Sequence, residues 1–124
     1  GSAAGTARVA VDELRGRGVK VGLLRVRCFR PFPAAAVAQA LAGKRAVAVL
    51  DRALSPGGAA HALFMEVATA LVTGGVSSRL VNYVYGLGGR DIVPAQFGQV
   101  VAELQQIDKT GSAQPVVRYL GLRR

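Results

Sequence analysis

At 124 residues the chain is the size of one domain, and its 51% hydrophobic content, with mean hydropathy +0.32, is high for a unit wetted on every side. No apolar run approaches the roughly 20 residues of a membrane span, so the apolar excess implies strands buried on both faces or a segment that packs against more protein. The net charge of +9 (sequence pI ≈ 11.1) is carried mostly by Arg and is dispersed, unlike the aromatic-interleaved stripe of a nucleic-acid binder, which makes an acidic neighbouring subunit the expected counterpart.

The chain opens on Gly1-Ser2-Ala3-Ala4-Gly5-Thr6, a glycine-rich turn entering a helix over 6–17. Such a turn normally follows a strand on which the helix packs, so the expectation is that the segment was cut at the end of a strand. The start lacks the basic-then-apolar layout of a signal peptide. Residues 19–26 are rich in Val and Leu and read as a strand. Cys28, the one cysteine, reads as a buried structural thiol; it excludes an internal disulfide and any iron–sulfur or zinc site built from this chain's own thiolates. A cytoplasmic location is expected on that ground.

Arg30-Pro31-Phe32-Pro33 breaks the strand, with Pro33 suited to the first turn of a helix over 34–42. A fully apolar strand over 46–50 runs into Asp51-Arg52, then Ser55-Pro56-Gly57-Gly58. A helix over 60–72 follows, with Leu63, Phe64, Val67, Ala68 and Leu71 on one face. The third strand, 80–85, ends in Gly86-Leu87-Gly88-Gly89-Arg90-Asp91. A helix over 94–107 carries Phe97, Val100, Val101 and Leu104 inward. A polar linker over 108–114, a short apolar segment over 116–120 and a basic end complete the chain. Residues 1–107 thus read as the α/β domain and 108–124 as linker and tail. Strands alternating with helices imply βαβ units on a parallel sheet with right-handed crossovers.

Two strand-to-helix junctions share their chemistry: an Asp–Arg pair beside a glycine turn, at what should be the carboxyl end of a buried strand. In open α/β sheets that edge meets ligands and partners. The candidate interface or anion contacts are therefore Asp51, Arg52, Ser55, Gly57, Gly86, Gly88, Gly89, Arg90 and Asp91. A carboxylate at a strand end also serves to cap the following turn, and that is the favoured use of Asp51.

Complete catalytic motifs are missing. Gly1-x-x-x-Gly5-Thr6 lacks the lysine of a phosphate-binding P-loop, and the third glycine of a dinucleotide fingerprint would fall on Asp91. His61 has no second acid or base in workable spacing. No catalytic residue and no metal ligand is assigned to the segment.

Taken in order, Gly1-Ser2-Ala3-Ala4-Gly5-Thr6, Arg30-Pro31-Phe32-Pro33, Val49-Leu50-Asp51-Arg52 with Ser55 and Gly57, Leu63-Phe64-x-Glu66-Val67, and Gly86-Leu87-Gly88-Gly89-Arg90-Asp91-x-x-Pro94 resemble the second domain of pyruvate:ferredoxin oxidoreductase. That domain occurs in the alpha subunit of the 2-oxoacid:ferredoxin oxidoreductases and is similar to the carboxyl-terminal domain of transketolase. The resemblance covers nearly the whole chain, and the Gly86–Asp91 motif is its most specific part. Ala53 and Pro56 depart from the family's Asn and Phe, and Val93-Pro94-Ala95 replaces Thr-Pro-Glu, losing a side-chain N-cap worth about 1 kcal/mol.

The resemblance implies a three-layer α/β/α fold around a five-stranded, mostly parallel sheet. It further implies that the central strand preceding the first turn is missing, so that 19–26 and 46–50 flank a gap. For the complete enzyme it implies oxidative decarboxylation of a pyruvate-type 2-oxoacid to an acyl-CoA, with thiamine diphosphate, Mg²⁺, iron–sulfur clusters and coenzyme A, and electrons passed to ferredoxin. The segment itself carries no Gly-Asp-Gly…Asn thiamine pattern. It is expected to organise the subunit, with other domains of the oxidoreductase as partners and no membrane or nucleic acid. A free-standing basic α/β module for phosphate-bearing ligands or RNA is the alternative from another class. A thiamine enzyme without ferredoxin is the alternative on the same fold.

Overall fold

The computed structural model describes residues 3–24, 31–52, 62–86 and 92–120. Their elements in order are α1 (Ala3–Gly16), α2 (Ala34–Leu41), β1 (Ala46–Arg52), α3 (Ala62–Thr73), β2 (Arg79–Tyr85), α4 (Pro94–Thr110) and β3 (Val117–Tyr119). The three strands form one parallel sheet in the order β1-β2-β3, with Ala46 opposite Arg79 and Arg52 opposite Tyr85. The α/β class and the parallel sheet stand as expected.

The sheet is sandwiched because its strands are apolar on both sides. Val47 and Val49 of β1, with Leu80 of β2, pack on Val37 of α2 and on Val67 and Leu71 of α3. The alternate positions, Ala46, Ala48 and Leu50 of β1 with Val81 and Tyr83 of β2, pack on Ala7 and Ala10 of α1 and on Phe97, Val100 and Ile107 of α4. The period of two along each strand therefore sorts side chains into two cores, one under each pair of helices. Helices α2 and α3 abut: a Cβ added at Gly74, just past α3, would lie 2.7 Å from the Ala38 methyl.

Two parts of the sequence behave differently from their patterns. Residues 19–24 form no strand, and Leu23 and Leu24 stand exposed; 25 and 26 lie outside the described residues. A Val/Leu-rich run becomes a strand only when a partner completes its ladder, and among the described residues β1 pairs with β2 alone. The sheet accordingly has three strands there instead of the five that the resemblance implies. At the other end, α4 continues to Thr110, where Gly111 at φ +76 closes it by donating its N–H to Ile107 O at 2.8 Å. The apolar segment that follows is β3, joined to β2 by Asn82 N to Val116 O (2.8 Å) and Leu120 N to Val84 O (2.9 Å).

Candidate functional site at the strand carboxyl ends

Because β1 and β2 are parallel and in register, their carboxyl ends emerge side by side, and the two junctions of the sequence meet there. Asp51 is buried, with 7% of its surface exposed. Its Oδ1 accepts the Leu63 N–H at 3.0 Å, and its Oδ2 accepts the Phe64 N–H at 3.1 Å and Asn82 Nδ2 at 2.8 Å. Leu63 and Phe64 follow Ala62 at the start of α3, so these are amides that the helix leaves without internal acceptors. The carboxylate thus caps α3 from the end of a neighbouring strand, and its charge sits at the positive pole of the helix dipole. Asn82, fully buried on β2, also donates Nδ2 to Val49 O at 3.1 Å. One carboxylate and one amide lock β1, β2 and α3 together.

Arg52, the next residue, points to the other side of the strand. Its guanidinium lies 5.9 Å from the Tyr85 ring centroid, a cation–π contact across the register pair. Its stem crosses Gly86, where an added Cβ would lie 3.1 Å from Arg52 Cγ. Gly86 itself has φ +82, a conformation that side chains rarely adopt. Arg52, Tyr85 and Gly86 form a half-exposed ledge on the strand-end edge. Ser55, Gly57, Gly88, Gly89, Arg90 and Asp91 lie outside the described residues, as do Cys28 and His61.

A second polar cluster escapes the sequence reading. Tyr83 is fully buried on β2, and its hydroxyl donates to Glu103 Oε1 of α4 at 2.5 Å. Arg118 of β3 donates Nη1 to the same oxygen at 3.1 Å, and Gln99 Nε2 reaches Glu103 Oε2 at 3.2 Å. Arg118 also donates Nε to Pro115 O and Nη2 to Gln114 O. Burial, the Glu103 hydrogen bond and its charge push the Tyr83 hydroxyl well above its ordinary pKa, against a smaller opposing pull from Arg118. Burial works to raise the Glu103 carboxyl, but the hydrogen bonds from Tyr83, Gln99 and Arg118 outweigh it and hold the group below its ordinary range. The available signal was Tyr83 itself, since a tyrosine in an otherwise apolar buried strand must find a partner for its hydroxyl.

At the opposite, amino-terminal edge of the strands an open groove of about 550 Å³ gathers Lys44, Arg45 and Arg79. All three are exposed, and Arg45 pairs with Asp108 at 3.5 Å.

Residues 1–97 match the family model described as pyruvate:ferredoxin oxidoreductase core domain II. The chain belongs to that family. It is 42% identical over 123 residues to the pyruvate synthase subunit PorA of Thermotoga maritima, covering 99% of this chain and 30% of the relative. Against PorA of Methanosarcina barkeri it is 39% identical over 111 residues, covering 90% of this chain and 28% of that one. Against the ketoisovalerate oxidoreductase subunit VorA of Pyrococcus abyssi the identity is 36% over 124 residues, with 100% and 31% covered. The chain spans about three-tenths of the length of these relatives.

The iron–sulfur clusters expected of the complete enzyme do not fit this segment's donors. Iron–sulfur clusters take several thiolates and the chain has one cysteine. Among the described residues no cluster of His, Cys, Asp and Glu has the makings of a metal site, and both oxygens of the buried Asp51 are already engaged. None of the described helices is long and apolar enough to cross a membrane.

Proposed function

We propose that this chain is the domain II segment of the alpha subunit of a 2-oxoacid:ferredoxin oxidoreductase. The complete enzyme oxidatively decarboxylates a pyruvate-type 2-oxoacid to an acyl-CoA and passes the electrons to ferredoxin. Thiamine diphosphate, Mg²⁺, the iron–sulfur clusters and coenzyme A are held by its other domains and subunits. The observation that carries this reading is the 42% identity to a pyruvate synthase subunit across 99% of the chain.

The segment's own part is organisational. Among the described residues of the candidate edge the buried carboxylate, Asp51, is committed to capping α3 and tying it to β2, which is a structural use of its oxygens. The ledge of Arg52, Tyr85 and Gly86 offers a half-exposed contact to a neighbouring domain.

The test is the purified complete enzyme with pyruvate or 2-ketoisovalerate, coenzyme A and an electron acceptor. Acceptor reduction that requires both the 2-oxoacid and coenzyme A is expected; its absence with each substrate would overturn the assignment. An Arg52→Ala variant separates the roles. Loss of assembled enzyme with unchanged turnover per assembled complex marks an organising residue, whereas full assembly with a fall in turnover would give Arg52 a part in the chemistry.

A further inference from the structure

The two helical layers that cover the sheet differ in their outward chemistry. The layer of α1 and α4 carries Arg8, Asp12, Glu13 and Arg15 on one helix and Glu103, Asp108 and Lys109 on the other. The layer of α2 and α3 carries a single charged residue, Glu66. None of the lysines and arginines responsible for the net charge of +9 falls in either α2 or α3.

The outward face of α3 is apolar in its own right. Met65 is 63% exposed and Val72 is 79% exposed, two turns apart on the same side of the helix. Thr69 stands between them, and its hydroxyl donates to Met65 O at 2.9 Å, while the Thr73 hydroxyl donates to Thr69 O at 2.9 Å. Those hydroxyls are spent inside the helix and add little polarity to its surface. Beside α3, the exposed positions of α2 are Ala34, Ala35, Ala36, Gln39 and Ala40. The close approach of Gly74 to Ala38 brings the two helices into contact, so their outward faces adjoin.

The exposed Glu66 is the one charge on these two helices, and an outward surface so poor in charge on a strongly charged chain marks an interface. We infer that the outer surface of α2 and α3 docks against the remainder of the same oxidoreductase subunit, through an uncharged, apolar surface of that remainder. The occupant is argued from length: the relatives carry about seven-tenths of their chain beyond the part matched here, far more surface than this segment has of its own. A second copy of the chain is the competing occupant. The inference rests on the membership of an alpha subunit proposed above.

Met65 is the chain's one methionine and sits in the middle of the inferred interface, so its sulfur serves as the probe. The complete enzyme is treated with dilute hydrogen peroxide, and sulfoxide formation on the Met65 peptide is followed by mass spectrometry, natively and in guanidinium. Native oxidation at least fivefold slower than unfolded, and unchanged on dilution, is the expected result. Oxidation within fivefold of the unfolded rate overturns the inference, as does protection that vanishes on dilution together with a halving of mass, which assigns the face to a second copy. Val72→Lys gives an independent reading: assembled enzyme falls at least fivefold, while Val9→Lys, also well exposed on α1 at 63%, changes it less than twofold. Equal effects of the two lysines overturn the inference. The 2-oxoacid-dependent activity of the same sample distinguishes the failures. An active enzyme with a freely oxidised Met65 removes the interface and leaves the assignment, and an inactive one with a protected Met65 does the reverse.

Discussion

At the strand-end edge, the carboxylate of Asp51 receives three hydrogen bonds from two segments, the start of α3 at 12 and 13 residues away along the chain and β2 at 31. Replacing it by Asn keeps the shape and swaps one acceptor for a donor, which then faces an amide N–H or Asn82 Nδ2. A buried donor left without an acceptor costs about 1–3 kcal/mol. Asp51→Asn is therefore expected to destabilise the fold by about 2 kcal/mol, read as a lowered urea midpoint with unchanged slope; an unchanged midpoint would show that the cap contributes nothing. Its position before a glycine turn marked Asp51 in the sequence as a cap for that turn; the amides it meets are those of α3, farther along the chain. Its second partner was not legible, because nothing in Leu80-Val81-Asn82 says that the asparagine faces β1 and not solvent; only the parallel register brings the two together. Glu103 illustrates the same gap. Its carboxyl is held below its ordinary value of 4.5, so it stabilises the fold at neutral pH and that contribution is lost as pH falls through its lowered pKa. Tyr83 is raised above its ordinary value of 10.0, so its contribution is present below pH 10 and lost as pH rises beyond it. In urea titrations across pH, Glu103→Gln is expected to flatten the acid limb and Tyr83→Phe the alkaline limb. Identical pH profiles for variant and parent would remove the network's electrostatic role.

At the scale of elements, local periodicity located the four helices and both long strands of the described residues, since each carries its own apolar face. It failed at 19–24 because a strand, unlike a helix, has no internal hydrogen bonds and depends on what lies beside it. It also ended α4 early: Asp108, Lys109 and Thr110 are polar but continue the helix until Gly111 supplies the left-handed residue that stops it. The start of α4 shows a local signal at work. Val93 cannot cap with its side chain, and only the reverse half of a capping arrangement survives, Val93 N donating to Gln96 Oε1 at 2.8 Å. Val93 is 50% exposed, so Val93→Thr can add the missing half without disturbing the core and is expected to stabilise by about 1 kcal/mol. A thermal midpoint that fails to rise would show that the terminus is already satisfied. Gly74 sets the spacing between α2 and α3. An alanine there meets the Ala38 methyl at 2.7 Å and Ala70 O at 3.0 Å, neither of which can swing aside, so Gly74→Ala is expected to cost about 1–3 kcal/mol in the same measurement.

For the whole molecule, the deciding contrast is between where the charge lies and where the apolar surface lies. A basic chain with a free binding function would concentrate its cations on one accessible face. On the described surface Lys44, Arg45 and Arg79 gather around the amino-terminal groove, and Arg45 is already paired with Asp108. About two phosphates is then the largest number that the groove can neutralise, and single-stranded nucleic acid gives a slope of about −0.7 per phosphate. Fluorescence anisotropy with a single-stranded oligonucleotide is therefore expected to show weak binding whose log–log dependence on salt has a slope no steeper than about −1.4. A slope of about −4 or steeper would require more phosphate contacts than this surface groups together and would favour the free-standing module. The layer of α2 and α3, with Glu66 as its single charge, pulls the other way. Its exposed Met65 and Val72 make sense for a segment that is one part of a longer, packed subunit, and the low salt slope follows from the small number of cations that the groove brings together.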